Sequence, residues 1–270
     1  MLIRETMAEP FPVDGYSMPF LIATRRVVSA CARRTRLSIS RRESPPPYAR
    51  QLKQFLDLKS VNCVLDVGAF GGGFASVLRS SGFEGTIISF EPVPSCYVLL
   101  QQHMAHDPLW SGHQYGLSDK SGESVINTYS HGDFNSLLVL KPDAQAAYGI
   151  DPSRHDTISI QLRRLDEVLP VLLANISTPR LFVKMDTQGH DVKVMMGATG
   201  VMDWIVGLQS ELPAVQCYQG MPGMSEALQR YATYGFVPIG FYPVNTFHAS
   251  QITPEFDVLF SRYDGSLTGH

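Results

Sequence analysis

From residue 48 onward the apolar positions switch between two periods, one that suits a helix and one that suits a buried strand. Tyr48–Leu58 gathers Leu52, Phe55, Leu56 and Leu58 on one side, which predicts a helix. Val61–Val67 follows as a short, nearly continuous apolar run, as a strand covered on both faces requires. The alternation then predicts a helix over 72–80, a strand at Thr86–Phe90, a helix at Pro94–His106 and a strand over 112–118. Val125–Tyr129 and Thr157–Leu162 read as two further strands with a polar, Gly- and Pro-bearing stretch between them. Next come a helix at Leu165–Ala174, a strand at Leu181–Met185, a helix at His190–Met196 and a strand at Ile205–Ser210. A helix at Ser225–Tyr234 and strands at Phe236–Tyr242 and Phe256–Phe260 complete the series. Repeated strand–helix units imply an α/β fold, a mainly parallel sheet covered on both faces, with a small inserted β segment. The last two strands have no helix between them, so the sheet is expected to end in an antiparallel pair.

Ahead of residue 48 the pattern differs. Residues 1–19 contain Pro10, Pro12 and Pro19 and read as extended. Phe20–Leu37 predicts an amphipathic helix, with Arg25, Arg26, Arg33, Arg34 and Arg36 on one half and Leu21, Val27, Val28 and Cys31 mostly on the other. Pro45, Pro46 and Pro47 end that segment. The chain therefore divides into an arm, residues 1–47, and a main domain, residues 48–270.

Composition sharpens this division. Of 270 residues, 44% are hydrophobic and 17% charged, which suits a globular chain rather than a disordered one. The net charge of −3 is an average of two unlike parts. Residues 1–50 hold nine Arg and four acids, whereas the remainder holds 13 basic and 21 acidic residues. An acidic body argues against a nucleic-acid partner. No apolar run nears the roughly 18 residues that span a bilayer. Glu5, Pro10 and Pro12 are out of place in a secretory signal. Cys31, Cys63, Cys96 and Cys217 are too widely spaced for a zinc site or a disulfide framework, so a reduced, cytoplasmic setting is expected.

Candidate chemistry begins at Val64-Leu65-Asp66-Val67-Gly68-Ala69-Phe70-Gly71-Gly72-Gly73-Phe74, where an apolar strand ends in an acid and glycines turn the chain into a helix. Open α/β sheets bind ligands in the crevice at such strand ends. A carboxylate before the first glycine suits an ammonium group and opposes a pyrophosphate. Glu91, in Phe90-Glu91-Pro92, ends the next strand 23 residues after Gly68 and can accept both hydroxyls of a ribose. Asp66 and Glu91 together favour S-adenosylmethionine, with nicotinamide dinucleotide as the competitor. Gly71-Gly72-Gly73-Phe74-Ala75-Ser76 falls one glycine short of a dinucleotide fingerprint.

With Leu165-Asp166, Lys184-Met185-Asp186-Thr187-Gln188-Gly189-His190-Asp191, Gly197-Ala198 and Asp257-Val258-Leu259-Phe260, these segments stand in the order found in FkbM-type methyltransferases, which the chain resembles over roughly residues 50–262. That family usually has Asn where Phe70 stands, an aromatic where His190 stands and Glu where Asp191 stands. The resemblance implies a class I, Rossmann-like methyltransferase fold with a seven-stranded sheet. It also implies methyl transfer from S-adenosylmethionine to a hydroxyl oxygen of a sugar, glycolipid or polyketide-type acceptor. The cofactor is then expected across Asp66, Gly68, Ala69, Phe70, Phe74, Glu91 and Pro92. Ser118 and Asp119, after the third strand, are placed where related folds contact adenine.

Asp186 ends its own apolar strand on the same sheet edge as Asp66 and Glu91, where it could sit beside the transferring methyl, orient the acceptor hydroxyl or hold the cofactor's ammonium. His190, four residues on, is the expected general base, because imidazole accepts a proton near neutral pH. Lys184 is expected to pair with an acid, and Asp191 to answer the helix dipole. Glu211 ends the adjacent strand and completes the catalytic set. It and Asp186 could also flank a divalent ion, with Asp166 and His248 as further suppliers, but no spacing requires a metal and none is expected. Asn135 and Ser136, after the inserted strand, and His248, between late strands, are the expected acceptor contacts. The basic helix of the arm admits three roles: a solvated face, a lid over the acceptor, or peripheral contact with an anionic membrane surface. Two other function classes are compatible with the same strand-end pattern. One is a nicotinamide-dependent oxidoreductase, although no Tyr-x-x-x-Lys occurs; the other is a noncatalytic partner protein on the same fold.

Overall fold

In the computed structural model, residues 47–143, 148–244 and 251–265 are described, all within the unit Pro45–His270. The arm helix expected at Phe20–Leu37 and the candidate His248 lie outside the described residues. Along the chain run α1 (Pro47–Leu58), β1 (Cys63–Val67), α2 (Gly73–Ser80), β2 (Thr86–Phe90), α3 (Pro94–Met104), β3 (Trp110–His113), β4 (Gly116–Leu117) and β5 (Gly122–Tyr129). They are followed by β6 (His155–Arg163), α4 (Leu165–Leu172), β7 (Leu181–Met185), α5 (Asp191–Met196), β8 (Ile205–Pro213), α6 (Met224–Thr233), β9 (Phe236–Pro243) and β10 (Glu255–Arg262).

Seven strands form one sheet in the order β3-β2-β1-β7-β8-β10-β9. The first five are parallel, and β10 runs antiparallel to both β8 and β9. The antiparallel end is thus present, with the last strand inserted between its neighbours rather than added at the rim. Its pairing extends β8 to Pro213, beyond the expected end at Ser210.

Strand side chains alternate between two cores. Leu65, Val67, Val183 and Met185 join Leu169 of α4, Met195 of α5 and Tyr231 of α6 on one face. Val64, Ile87 and Phe182 join Phe55 of α1, Leu78 of α2 and Leu100 of α3 on the other. Each fully buried Leu, Ile, Val or Phe contributes about 1.5–3 kcal/mol, which is why the strands must be apolar on both faces.

The strand expected over 112–118 is two strands. β3 ends at His113 in the main sheet, while β4 belongs to a second sheet of order β4-β6-β5. The inserted β segment is therefore a three-stranded sheet that borrows its first strand from the chain leaving the main one.

One polar row crosses the main sheet. Ser89 of β2, Asp66 of β1, Lys184 of β7 and Gln209 of β8 are register neighbours, and all four are buried. Trp110 Nε1 donates to Ser89 Oγ at 3.0 Å at one end. Tyr48 of α1 donates its hydroxyl to Gln209 Oε1 at the other.

Candidate active site

The strand ends of β1 and β2 are tied together by backbone. Gly68 adopts φ +75, and its N–H and that of Ala69 both donate to Phe90 O, at 3.0 and 3.1 Å. A Cβ on Gly68 would lie 2.0 Å from the carbonyl oxygen of Asp186. Only glycine lets the turn after β1 touch the turn after β7. Phe70 is also left-handed, at φ +46; its N–H donates to Glu91 Oε2 at 2.8 Å, while Val93 N–H donates to Oε1 at 2.9 Å. Burial pushes the Glu91 carboxyl up to about 7 despite those two amides. Glu91 is nevertheless anchored in position, and Pro92 starts the following turn half-exposed. The Phe70 ring stands on the rim, 38% exposed.

Asp66 lies beneath this turn rather than in it. It has no accessible surface, and neither carboxylate oxygen has a hydrogen-bond partner. Lys184 Nζ, 3.6 Å away, is its ion-pair partner, and the same ammonium sits 5.5 Å from the centre of the Phe74 ring. Burial raises the Asp66 carboxyl, and Lys184 offsets only part of that rise. For Lys184 burial acts downward, but Asp186, Asp66 and Asp257 outweigh it and hold the ammonium well above its usual range. The expected pairing of Lys184 with an acid is present twice over, because the ammonium also bonds Asp186 Oδ2 at 3.2 Å.

Asp186 is held from two sides. Its other oxygen, Oδ1, accepts from Gln188 Nε2 at 2.9 Å, and the same nitrogen donates to Glu211 Oε2 at 3.1 Å. Asp186 and Glu211, expected together on the edge, are thus bridged by one amide. Burial drives the Glu211 carboxyl well above its usual range, reinforced by Glu255, Asp186, Asp257 and Asp191. Asp133 also faces this group; burial and the charge of Asp186 raise its carboxyl.

Asp191 does more than answer a helix dipole. Buried, it accepts from Thr187 N–H at 3.0 Å, Thr187 Oγ1, Ser210 Oγ at 2.7 Å and Glu211 N–H at 3.2 Å, locking the turn before α5 onto β8. Ser136 and Asn135 are engaged within the protein. Ser136 Oγ donates to the carbonyl of Gln188 at 2.8 Å and accepts from Leu138 N–H at 2.9 Å, and Asn135 Oδ1 accepts from Tyr129 N–H at 3.0 Å. They fasten the inserted sheet to the turn after Asp186.

His190 belongs to a different network. Its Nε2 lies 2.9 Å from Ser118 Oγ, which donates to Asp119 Oδ1 at 3.1 Å, and Lys193 Nζ bonds Asp119 Oδ2 at 2.9 Å. Burial pushes the His190 imidazole down to about 4, so it is neutral and only weakly basic near pH 7. Gly197 backs this loop, since a Cβ there would lie 2.1 Å from Ser118 O. Asp166 is committed to Arg164, Thr199 and the Gly200 N–H, apart from the Asp186–Glu211 pair. Among the described residues, no group of three or more His, Cys, Asp or Glu is arranged to hold a metal.

Sequence reasoning passed over Gln188, Tyr218 and Asp133 as site residues. Gln188 alone carried a signal: it stands two residues after Asp186 and directly before the glycine of the turn, at φ +51.

A model of the Methyltransferase FkbM domain matches residues 66–210. Methyltransferase sdnD of Sordaria araneosa is 26% identical over 160 residues, which are 52% of this chain and 62% of that protein. The chain thus matches less than two thirds of that relative's length. Among solved structures, magnesium protoporphyrin IX methyltransferase from Synechocystis PCC 6803 with bound SAM is similar at a TM-score of 0.43 and 8% identity, over 80% of this chain and 78% of that one. Fibrillarin of Aeropyrum pernix, with natively bound S-adenosyl-L-methionine, is similar at a TM-score of 0.43 and 10% identity, over 79% of this chain and 73% of that one.

Proposed function

The chain belongs to the FkbM methyltransferase family, and on that premise we propose that it is an S-adenosylmethionine-dependent O-methyltransferase acting on a hydroxyl of a sugar, glycolipid or polyketide-type acceptor. One observation carries the cofactor assignment. Two buried acids, Asp66 and Glu91, end adjacent parallel strands, and both oxygens of Asp66 lack a hydrogen-bond donor. A buried carboxylate without a donor is costly; Lys184, 3.6 Å away, offsets part of that cost, and a cationic cofactor over the same strand ends would offset more of it. An ammonium, a sulfonium and two ribose hydroxyls fit this edge, whereas a pyrophosphate would be repelled by it.

Glu91 would accept the ribose hydroxyls on the lone pairs left free by Phe70 and Val93. Gly68, Ala69, Phe70, Phe74 and Pro92 would form the wall of the cofactor site, with Ser118 and Asp119 at its adenine end. When bound, S-adenosylmethionine supplies a methyl group on a sulfonium, activated for in-line displacement. The chain's own part is to hold the acceptor hydroxyl close to that methyl and to remove its proton. We assign the proton to Asp186, which stands at the meeting point of the two turns. His190 is given a positioning role, because its Nε2 is engaged by Ser118 in a network with Asp119 and Lys193 that does not include Asp186 or Glu211. Glu211 flanks Asp186, and Asn135 and Ser136 shape the acceptor side through the inserted sheet. A cytoplasmic small-molecule or glycan acceptor fits these features, with the basic arm as a peripheral contact to anionic membrane. No helix of the described residues is long and apolar enough to cross a membrane.

Isothermal calorimetry with S-adenosylhomocysteine tests the cofactor. Binding is expected, and a folded protein that binds neither it nor S-adenosylmethionine would overturn the assignment. Titration with reduced nicotinamide cofactor should show no binding.

A further inference from the structure

Gln188 occupies a position that asks for an explanation. Its backbone is left-handed at φ +51, and Gly189 follows at φ +92. Glycine would fit such a turn without strain, and strained non-glycine residues gather where a side chain has a task. Here the side chain has three partners: Nε2 donates to Asp186 Oδ1 and Glu211 Oε2, and Oε1 accepts from the Tyr218 hydroxyl at 2.8 Å. The orientation of the amide follows from chemistry, because the reverse would aim its oxygen at two carboxylates. The Gln188 carbonyl accepts from Ser136 Oγ, so the same residue is tied to the inserted sheet.

The two acids that share this amide are unlike. Asp186 has a cation on its other oxygen, Lys184, whereas Glu211 forms no ion pair among the described residues. Glu211 is faced by Glu255 and Asp257 from β10, Asp191 from α5, Asp186 from the end of β7, and Tyr218 from the loop after β8. Two carboxylates in one site do not both ionise readily, and the one without a cation takes the proton.

We propose that Gln188 is the positioning residue of the acceptor edge, which holds Asp186 and Glu211 as an unequal pair in which Asp186 accepts the substrate's proton and Glu211 keeps its own. This rests on the methyl-transfer function proposed above and deepens it. The amide gives one hydrogen to each acid, so neither carboxylate can turn away without breaking the bridge. Lys184 at two residues before Asp186 and Gln188 at two residues after it fix the carboxylate from the cofactor side and from the acceptor side.

The experiment follows the side-chain carboxyl resonance of Glu211 by 13C NMR across pH in the full chain, assigned with Glu211→Gln. Gln188→Leu removes the donor; Gln188→Gly also removes it while suiting the left-handed turn, so at least one folded variant is available. Loss of the donor to the charged form should move the Glu211 midpoint upward by about one pH unit. Ser136→Ala leaves the amide in place and should leave the midpoint within about 0.3 unit. A midpoint unchanged in a folded Gln188 variant overturns the proposal. S-adenosylhomocysteine binding is measured on the same samples. If the wild-type chain fails to bind it, the methyltransferase assignment falls while the coupling of Gln188 to Glu211 is judged by the titration alone.

Discussion

Glu91, at the cofactor side of the strand-end edge, is held by the backbone N–H groups of Phe70 and Val93, from the two turns that adjoin it. Asp186 and Glu211, at the acceptor side, are held by side chains: Lys184, Gln188 and, through Gln188, Tyr218 and the inserted sheet. Backbone donors are supplied by any sequence that makes the turn, whereas side-chain donors must be brought from separate elements. The Glu91 anchor therefore rests on the backbone of its two turns, and the Asp186–Glu211 anchor on side chains from separate elements. The regions meet at Gly68, whose missing side chain admits the Asp186 carbonyl.

The largest expected effect isolates the acceptor side. Asp186→Asn should lower methyl transfer by about 10²–10⁴-fold, the span of general-base contributions. Binding of S-adenosylhomocysteine should change less than about threefold, since the cofactor side is untouched. A large loss in calorimetric affinity would show that the two regions are one.

Lys184→Met breaks the link between them. It leaves Asp66 buried without its counter-charge and should destabilise the fold by about 3–5 kcal/mol in urea unfolding. Adding Asp66→Asn should restore much of that loss, and no restoration would mean that Lys184 serves Asp186 alone.

Glu91→Gln tests the cofactor side. It removes the charge and leaves the shape, and cofactor affinity should fall about tenfold, as for a charge-assisted hydrogen bond. In the wild type the same carboxyl has been raised from 4.5 to about 7. The folded state therefore holds this proton more tightly than the unfolded chain, and Glu91 withdraws stability as pH rises from 4.5 to about 7. Affinity for the cationic cofactor should strengthen over the upper part of that rise, as the carboxylate form fills. Calorimetry on either side of pH 7 checks the sign, and a Glu91→Gln chain should show a flatter profile.

His190→Gln should be the mildest change, less than about threefold in turnover, because the imidazole is held by Ser118 in a network separate from Asp186 and Glu211. The imidazole lies at about 4 against an ordinary 6.5, so wild-type stability is lost as pH falls from 6.5 toward 4. The variant should lose that component of acid sensitivity in thermal melts. A hundredfold fall in turnover would return the base to His190.

The cofactor side was legible in the chain because its parts are consecutive. Asp66-Val67-Gly68 and Phe90-Glu91-Pro92 each sit at the junction of an apolar run with a turn, and period and punctuation both mark them. Strands β2 and β7 match their expected limits of Thr86–Phe90 and Leu181–Met185. The break between β3 and β4 was not legible, since Gln114-Tyr115 holds neither glycine nor proline and the flanking Gly112 and Gly116 lie inside the strands themselves. Asp191 read as a dipole residue because Ser210, the β8 residue whose hydroxyl it accepts, is 19 positions away.

By itself the sequence determined the α/β class, the strand and helix series, the acid-and-glycine edge of β1 and β2, and the family resemblance, all carried by local period and short spacing. Tertiary structure alone decided that Asp66 is covered, that Lys184 joins two acids, that His190 belongs with Ser118, and that Gln188 bridges Asp186 and Glu211. Those outcomes turn on burial and on which side chains meet across strands. Both are properties of strand order and register, which the chain specifies only once the whole sheet has closed.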